Sequence, residues 1–430
     1  MPKRLLGVLF LSFIVTNAES QFLMDMIDTS KDVGRSLFSL YKNYDHLRIG
    51  GYIQPQFQVA STKGQAGYEG GDFPPHVNNR FSLRRGRLRF DYARFNKQNL
   101  PILQFVFQFD GTERGVFIRD FWGRYFENKW QLFSVSAGMF ARPFGYEVNL
   151  GSPDRESPER GRMSQILMKT ERDLGMMISF EPRKKDHLLR HFRLDAGFFN
   201  GQGLTAVGDY DSYKDFIARL YIKPVEAGKH LLLSGGLSYL NGGFLQNTRY
   251  MNRITTLGSL KTYAMDSALS NIDSKAPRKY NGADLQIKYK RNAGFTELRA
   301  EYWWGTQTAA AGTSETPASL LTEPSYVRYF DGAFIYLLHS FLSKHQLCIK
   351  YDWYDPNRKV NGRDIGRPGA NLNATDIQYS TWGFGYNCYI NENLRLLLWY
   401  AKVKNENTLL AGYSTDVKDN VFTCRLQFRF

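Results

Sequence analysis

The chain has 430 residues, of which 15% are aromatic and 23% are charged, and its mean hydropathy is −0.42. This composition excludes a helical membrane protein, because no internal stretch approaches the ~18 consecutive apolar residues of a transmembrane helix. The 56 Lys and Arg residues outnumber the 41 Asp and Glu residues, which gives a formal net charge of +15. A basic excess of this kind is typical of chains that contact nucleic acid, anionic lipid or small anions.

The N-terminus has the pattern of an export signal. Lys3 and Arg4 precede an apolar run over 5–15, and small residues follow to Ala18. This pattern predicts a signal peptide over 1–18, whose removal leaves a charge of about +13. Export makes nucleic acid the least favoured partner, and we expect none. Residues 19–45 do not alternate, and we predict a short periplasmic lead there.

From residue 46 onward the sequence repeats one unit of about ten alternating residues followed by a turn. In the first unit Arg48 and Gln54 share one face, whereas Ile49 and Ile53 share the other. The same alternation continues to the end of the chain in about sixteen segments. Polar and apolar faces in an even number of strands are typical of bacterial outer-membrane barrels. We therefore predict an all-β fold over 46–430, a closed transmembrane antiparallel β-barrel of about 16 strands.

The connections between these segments alternate in length, with one exception, a short outer turn near 111–114. Long outer loops and short periplasmic turns give this alternation in a barrel, whereas a secreted sandwich or solenoid, the alternative, has no reason for it. The last strand must pair with the first, or an open edge would face lipid. The predicted long loops lie near 60–79, 142–171, 200–213, 241–277, 307–326, 355–374 and 404–417. The predicted short turns lie near 96–99, 127–129, 182–189, 224–229, 290–294, 342–344 and 390–393.

Three arginines share one face of the second segment. Arg85, Arg87 and Arg89 recur at about 6.6 Å in a strand, opposite Leu88 and Phe90. Inside a narrow lumen such permanent charges would favour anions. The alternative is that acids on the barrel wall, such as Asp91, Asp110 and Asp120, neutralise them.

The long loop near 142–171 carries many charges of both signs. A loop of this length is usually functional or disordered, and in a channel it can fold inward and narrow the lumen. The alternative is a solvated surface loop. The residues that we predict to contact the solute are Arg85, Arg87, Arg89, Arg142, Arg160, Arg162 and Lys169.

The remaining chemistry-bearing residues form no catalytic motif. Arg193 with Asp195, and Arg219 with Asp215, are spaced as pairs within one strand. Cys348, Cys388 and Cys424 are too few for a disulfide framework, and we expect free thiols, with the first facing away from the other two. We predict no enzyme activity, no catalytic residue, no metal site and no cofactor. Seven tryptophans are assigned to the lipid face as an aromatic girdle, with sugar stacking as the alternative for any that face inward: Trp122, Trp130, Trp303, Trp304, Trp353, Trp382 and Trp399.

Several segments together resemble the phosphate-selective porin O and P family. They are RRGRLRFDY, AGMFARPFGYE, ERDLGMMISF, LDAGFFNGQG and TWGFGYNCYINENLRLLLWY, and the likeness runs from about residue 46 to the end. The resemblance implies a sixteen-stranded porin, commonly trimeric, that passes anions through a basic constriction. Only Arg85, Arg87, Arg89 and the loop around Arg142 correspond by motif position. Phosphate selectivity is not carried over, because Glu297, Glu301 and the acids of the long loop dilute a positive field.

These observations predict an outer-membrane porin of a Gram-negative bacterium. Small solutes would diffuse passively through it, with a preference for anions, among them phosphate or polyphosphate, at an arginine-lined constriction. The expected partners are small anionic solutes, outer-membrane lipid and two further copies in a homotrimer. The alternative is a plugged barrel that has a structural role or binds a glycan or partner through its long loops.

Overall fold

A computed structural model describes residues 46–206 and 208–430. The predicted signal peptide and periplasmic lead lie outside the described residues. Eighteen strands are found in the described residues, and sixteen of them form one closed sheet. The predicted all-β barrel of about 16 strands is therefore confirmed.

Nine barrel strands, β1–β9, precede the outer hairpin. They are Leu47–Ala60, Asn79–Phe95, Pro101–Thr112, Gly115–Phe126, Phe133–Ala141, Arg172–Phe180, Phe192–Phe199, Asp215–Glu226 and Leu231–Leu245. The hairpin consists of β10 (Met251–Leu257) and β11 (Leu260–Asp266). The remaining barrel strands, β12–β18, are Lys275–Arg291, Gly294–Ala309, Ser325–Phe341, His345–Asp355, Tyr379–Tyr389, Leu394–Asn405 and Val421–Arg429. A short helix, α1, spans Arg162–Leu167, and 3-10 turns span Gly203–Thr205, Leu269–Asn271 and Ala374–Asp376.

The barrel closes between its first and last strands. β1 pairs antiparallel with both β2 and β18, with Ile53 opposite Phe428 in the second pairing. Gly51 and Phe430 exchange two backbone hydrogen bonds of 3.1 and 3.0 Å. A neighbour on each side satisfies the backbone polar groups of these strands, so that no open edge is left.

The two ends of the barrel differ in their connections. At one end, called the outer end here, the connections are long, apart from a two-residue turn at 113–114. At the other end they range from two residues, at 292–293, to eleven, at 181–191. The alternation in length follows the sequence-based assignment closely. One detail was missed: the loop between β9 and β12 contains the β10–β11 hairpin.

The strands present apolar side chains outward. In β6, Leu174, Met176 and Ile178 are 51 to 58% exposed, whereas Asp173, Met177 and Ser179, which alternate with them, are buried. Alternation of this kind places every second side chain on the outer surface. A surface of Leu, Ile, Met and Phe is what a lipid-facing barrel wall presents.

The outer hairpin is part of a small folded unit, called the outer cap here, which consists of β10, β11 and residues 356–378. β10 pairs in parallel with the outer end of β14. Buried Asp376 accepts hydrogen bonds from the Tyr263 hydroxyl (2.7 Å), Asn357 Nδ2 (3.1 Å) and Arg328 Nε (3.2 Å). An apolar cluster formed by Tyr263, Val360, Ile365, Leu372 and Ile377 completes the unit.

Candidate functional site

The segment between β5 and β6, residues 142–171, lies inside the barrel and is called the inner loop. Its backbone is fixed to the wall by Glu301 on β13, which accepts hydrogen bonds from the backbone N–H groups of Tyr146 (2.7 Å) and Glu147 (2.9 Å). The same carboxylate accepts a bond of 2.6 Å from the indole N–H of Trp303. Three donors thus converge on one buried carboxylate, which attaches the first half of the loop to the wall.

Three acidic side chains of the inner loop point towards the wall formed by β13–β18. Glu147 accepts a bond of 3.2 Å from Lys350 on β15, and Glu156 is 2.7 Å from Arg299 on β13. Asp154 is 3.3 Å from Arg429 on β18. These carboxylates are therefore neutralised by cations of the β13–β18 wall. Glu297 and Glu301, which were expected to dilute a positive field in the lumen, are buried there in contacts with Arg299 and with the loop.

The predicted arginine row faces the lumen and is paired. Arg85 is 2.6 Å from Glu159, Arg87 is 3.1 Å from Asp110, and Arg89 is 2.7 Å from Asp91. Two of these acids, Asp91 and Asp110, were named in the alternative of a neutralised row. The partner of Arg85 comes from the inner loop, 74 residues further along the chain.

Carboxylates on this side of the lumen are shared by several arginines. Glu159 lies within 3.0 Å of Arg84, Arg85 and Arg425. Glu171 contacts Arg119, Arg160 and Arg172 at 2.9 to 3.8 Å. Asp110 is shared by Arg87 and Arg119, and Asp120 pairs with Arg172. Among the described residues, seven arginines thus share four carboxylates where the inner loop meets β2–β4 and β18. We call this set the arginine cluster.

Arg155 of the inner loop adds a further charge beside the arginine cluster, and sequence reasoning did not single it out as a contact residue. Its side chain is buried, and its Nε and Nη1 atoms have no hydrogen-bond partner within the described chain. Its Nη2 atom donates to the Leu150 carbonyl oxygen, at 3.4 Å. No sequence signal separates Arg155 from its neighbours.

The other predicted contact residues are dispersed. Arg160 belongs to the arginine cluster, whereas Arg142 is buried at the start of the inner loop and donates to the Thr170 carbonyl. Arg162 opens α1, and its guanidinium carbon lies 3.6 Å from the ring centre of Tyr379. Lys169 is exposed at the outer end and pairs with Glu315 at 2.6 Å. The structure therefore places Arg85, Arg87 and Arg160 in the arginine cluster and Arg89 next to Arg87 on the same strand face, whereas Arg142, Arg162 and Lys169 lie elsewhere.

A second loop reaches into the barrel mouth from the outer end. This segment, residues 61–78, is called the first outer loop. Its Tyr68 ring lies 4.8 Å from the Arg162 guanidinium carbon, and its Tyr68 carbonyl accepts a bond of 2.8 Å from Gln165 in α1. Burial raises the pKa of the adjacent Glu69 to about 8, although Lys350 acts in the opposite direction. The sequence predicted a long loop near 60–79 but not its contacts with α1.

Three tryptophans were assigned to the wrong face. Trp122, Trp303 and Trp399 point inward and are 9%, 0% and 2% exposed. Trp122, for example, shares its face of β4 with Asp120 and Arg124, so strand parity requires an inward direction. The prediction of a lipid-facing girdle therefore fails for these three residues. Trp382, by contrast, is 46% exposed on the outside.

An open space remains beside the inner loop. It comprises about 700 Å³ of empty space, part of it continuous with open solvent, between the loop and the wall formed by β2 and β4–β8. Its charged lining consists of Arg89, Arg124, Arg193, Arg219, Asp120 and Asp195. Arg193 pairs with Asp195 as predicted, at 3.0 Å, whereas Arg219 pairs with Asp284 at 2.9 Å and not with Asp215. We call this space the lumen cavity.

Other classes of site have no support in the described residues. No group of three or more His, Cys, Asp or Glu side chains there has the arrangement of a metal site. The three cysteines are free, and Cys348 faces inward while Cys388 and Cys424 lie on the opposite face, as predicted. No helix within 46–206 or 208–430 has the length and apolar character needed to cross a membrane.

Solved structures of outer-membrane proteins share this fold. OprB of Pseudomonas putida, in a high-pH structure, matches with a TM-score of 0.56 at 10% identity, over 93% of this chain and 97% of that chain. The outer membrane channel DcaP of Acinetobacter baumannii matches with a TM-score of 0.54 at 12% identity, over 89% and 97%. OmpT of Vibrio cholerae, in a trimer form, matches with a TM-score of 0.51 at 12% identity, over 89% and 99%.

At this level of identity the likeness shows the fold alone. The fold is that of outer-membrane porins. No protein-family model matches the chain, and no curated protein is significantly similar to it. Membership of the phosphate-selective porin O and P family therefore stays a prediction.

Proposed function

We propose that this protein is an outer-membrane porin of a Gram-negative bacterium through which small solutes diffuse passively, with a preference for anions. The closed barrel, its apolar outer face and its charged interior support a channel between two aqueous compartments. The inner loop narrows that channel from the β13–β18 side. The arginine cluster lies where the loop meets β2–β4 and β18, and the lumen cavity lies between the loop and the wall formed by β2 and β4–β8. No enzyme activity is part of the proposal.

One observation carries the preference for anions: seven arginines share four carboxylates in the arginine cluster. The excess of arginines arises because the inner loop contributes only two carboxylates to the cluster and directs Glu147, Asp154 and Glu156 towards other cations of the β13–β18 wall. A residual positive charge in a narrow, low-dielectric space raises the local concentration of anions and repels cations. Because most guanidinium groups also have a carboxylate partner, we expect a weak to moderate preference.

Arginines that are partly neutralised by carboxylates also suit the passage of anions better than unpaired arginines would. A conducting site must hold an ion strongly enough to replace water and weakly enough to release it. Guanidinium groups bind oxyanions through paired hydrogen bonds as well as through charge. Phosphate and polyphosphate are therefore proposed as solutes of the arginine cluster, in agreement with the family resemblance. A homotrimer is the proposed assembly, since a structure of the same fold is described in a trimer form.

Removing charge from the arginine cluster tests the proposal. We expect Arg119→Gln combined with Arg172→Gln to reduce the chloride-to-potassium permeability ratio, because the cluster then has five arginines for four carboxylates. Zero-current potentials in planar bilayers under a KCl gradient measure this ratio. Arg114→Gln, in the exposed turn between β3 and β4, is the matched control and should leave the ratio unchanged. An equal ratio in all three proteins would contradict an origin of selectivity in the cluster.

A plugged barrel is the second candidate function. The inner loop packs apolar side chains, among them Phe144, Val148 and Met163, against the inward-facing Trp303 and Phe330 of the wall. Such packing fills part of the lumen, as a structural or partner-binding barrel would require. Purified protein that inserts into bilayers without producing stepwise conductance would favour this function over the first.

A further inference from the structure

The lumen cavity has an apolar side as well as a charged side. Trp122 on β4, Phe140 on β5, Met177 on β6 and Tyr221 on β8 all line it. The Trp122 and Phe140 rings are in edge-to-face contact, with centroids 6.4 Å apart. These side chains point into the barrel, where a purely aqueous passage would have polar residues.

Guanidinium groups lie over the aromatic rings of this surface. The Arg124 guanidinium carbon is 5.1 Å from the Trp122 ring centre, and that of Arg219 is 4.8 Å from the Tyr221 ring centre. A guanidinium group held over a ring face keeps N–H donors in its own plane, which it can offer to an anion. Cationic and aromatic groups thus alternate along one surface of the lumen cavity.

A hydrated inorganic anion gains nothing from the apolar half of this surface. Chloride or phosphate would interact with the arginines and would lose water against Trp122, Phe140 and Met177 without compensation. A carboxylate on a compact apolar body fits both halves, since its charged group meets the guanidinium donors while its body removes apolar area from water. An aromatic body would add ring contacts with Trp122 and Tyr221.

We infer that the preferred solutes of the lumen cavity are organic anions that carry a carboxylate on a small aromatic body. This inference rests on the proposed porin function and names the solute class of its channel. Asp120 and Asp195 also line the cavity, bound to Arg172 and Arg193. They disfavour a second negative charge on the solute, so a monocarboxylate is the expected form.

Benzoate and acetate, each measured against chloride, provide the test. The permeability ratio of benzoate to acetate follows from zero-current potentials with potassium salts of each anion opposite KCl. A pore that acts only as a sieve passes the larger benzoate less readily, which gives a ratio below one. We expect a ratio above one, and a reduction of single-channel chloride current by benzoate that acetate does not produce.

Substitutions locate the effect in the cavity. Trp122→Ala should lower the benzoate-to-acetate ratio by about twofold or more, since an aromatic pair contributes roughly 0.5–1.5 kcal/mol. Trp382→Ala, on the outer face, is the matched control and should leave the ratio unchanged. Tyr221→Leu provides a second variant in case Trp122→Ala does not fold.

Two outcomes would overturn the inference. One is a ratio below one in the unmodified protein, and the other is a ratio above one that neither Trp122→Ala nor Tyr221→Leu reduces. A KCl gradient across the same membranes separates this failure from that of the proposed function. Chloride preference without benzoate preference contradicts only the solute class, whereas the absence of chloride preference contradicts the anion-selective porin itself.

Discussion

Glu301 shows how one side chain positions an element of the channel. Its carboxylate accepts hydrogen bonds from two consecutive backbone N–H groups of the inner loop and from the Trp303 indole. Because all of these groups are buried, water cannot replace a lost acceptor without rearrangement. The sequence suggested a lumen acid at this position, but its contact with a loop about 150 residues away depends on the tertiary fold.

Glu301→Gln should loosen the inner loop. The amide NH₂ group would face N–H donors, and leaving buried donors unpaired costs about 1–3 kcal/mol. We expect higher mean conductance and more frequent current fluctuations in single-channel recordings. Glu226→Gln, at the exposed end of β8, is the control. Identical traces for both variants would contradict the role of Glu301 as an attachment point.

Glu69 gives the first outer loop a dependence on pH. Burial raises its pKa to about 8 from an ordinary value of 4.5, in surroundings that include Lys350, Asp352, Glu159 and Arg162. Between pH 4.5 and about 8, Glu69 is therefore protonated when the first outer loop is docked against α1 and ionised when the loop is undocked. Docking weakens as pH rises through that window and changes no further above about 8, when both forms are ionised.

Single-channel conductance between pH 5 and 9 measures this effect. We expect conductance to rise up to about pH 8 in the unmodified protein, because the undocked loop no longer covers α1. Glu69→Gln cannot ionise and should remove the rise. A rise of the same size in that variant would assign the pH dependence to other groups.

The sequence predicted which face of a strand a side chain occupies, but it did not predict the partner with which that side chain forms an ion pair. Strand alternation correctly placed Arg85, Arg87 and Arg89 inward, because parity is a local property. Arg219 on β8 pairs with Asp284 on β12 rather than with Asp215 on its own strand, and this depends on β9 lying between β8 and β12 in the folded sheet. The inward tryptophans show a different error, in which residue type was given more weight than strand parity.

At the scale of elements, the outer cap is the feature that sequence reasoning missed. The segment NRITTLGSLKTYAM alternates on both sides of Gly258–Ser259, and a two-residue turn with Gly between alternating runs is a hairpin signal. Gly258 has a φ of +60°, which a two-residue hairpin turn requires and which glycine adopts at low cost. The hairpin could therefore have been predicted, whereas its pairing with β14 could not.

Asp376→Ala should release the outer cap without disturbing the barrel. The substitution leaves Arg328 and the Tyr263 hydroxyl without their shared buried acceptor. We expect faster proteolysis within residues 356–378 and an unchanged heat-dependent shift in gel mobility. Asp266→Ala, at the exposed end of β11, is the control. Equal proteolysis rates for the two variants would show that Asp376 does not hold the cap together.

At the scale of the whole molecule, two charge distributions coexist. The outer face is apolar around the barrel. The interior separates into the β13–β18 wall, whose cations neutralise three acids of the inner loop, and the arginine cluster, where arginines outnumber the carboxylates. Strand number and loop lengths were predictable because each repeat carries its own alternation and turn. The separation of charges in the interior was not predictable, because it depends on the position that the 30-residue inner loop adopts inside the barrel.

The central claim is that this barrel conducts and prefers anions, and one measurement tests it most directly. The purified protein is inserted into a planar bilayer that separates two KCl concentrations, and the zero-current potential is recorded on single channels. We predict stepwise conductance and a potential whose sign reports chloride as the more permeant ion, with a magnitude that falls as salt screens the arginines. A potential of the opposite sign at neutral pH would contradict the account.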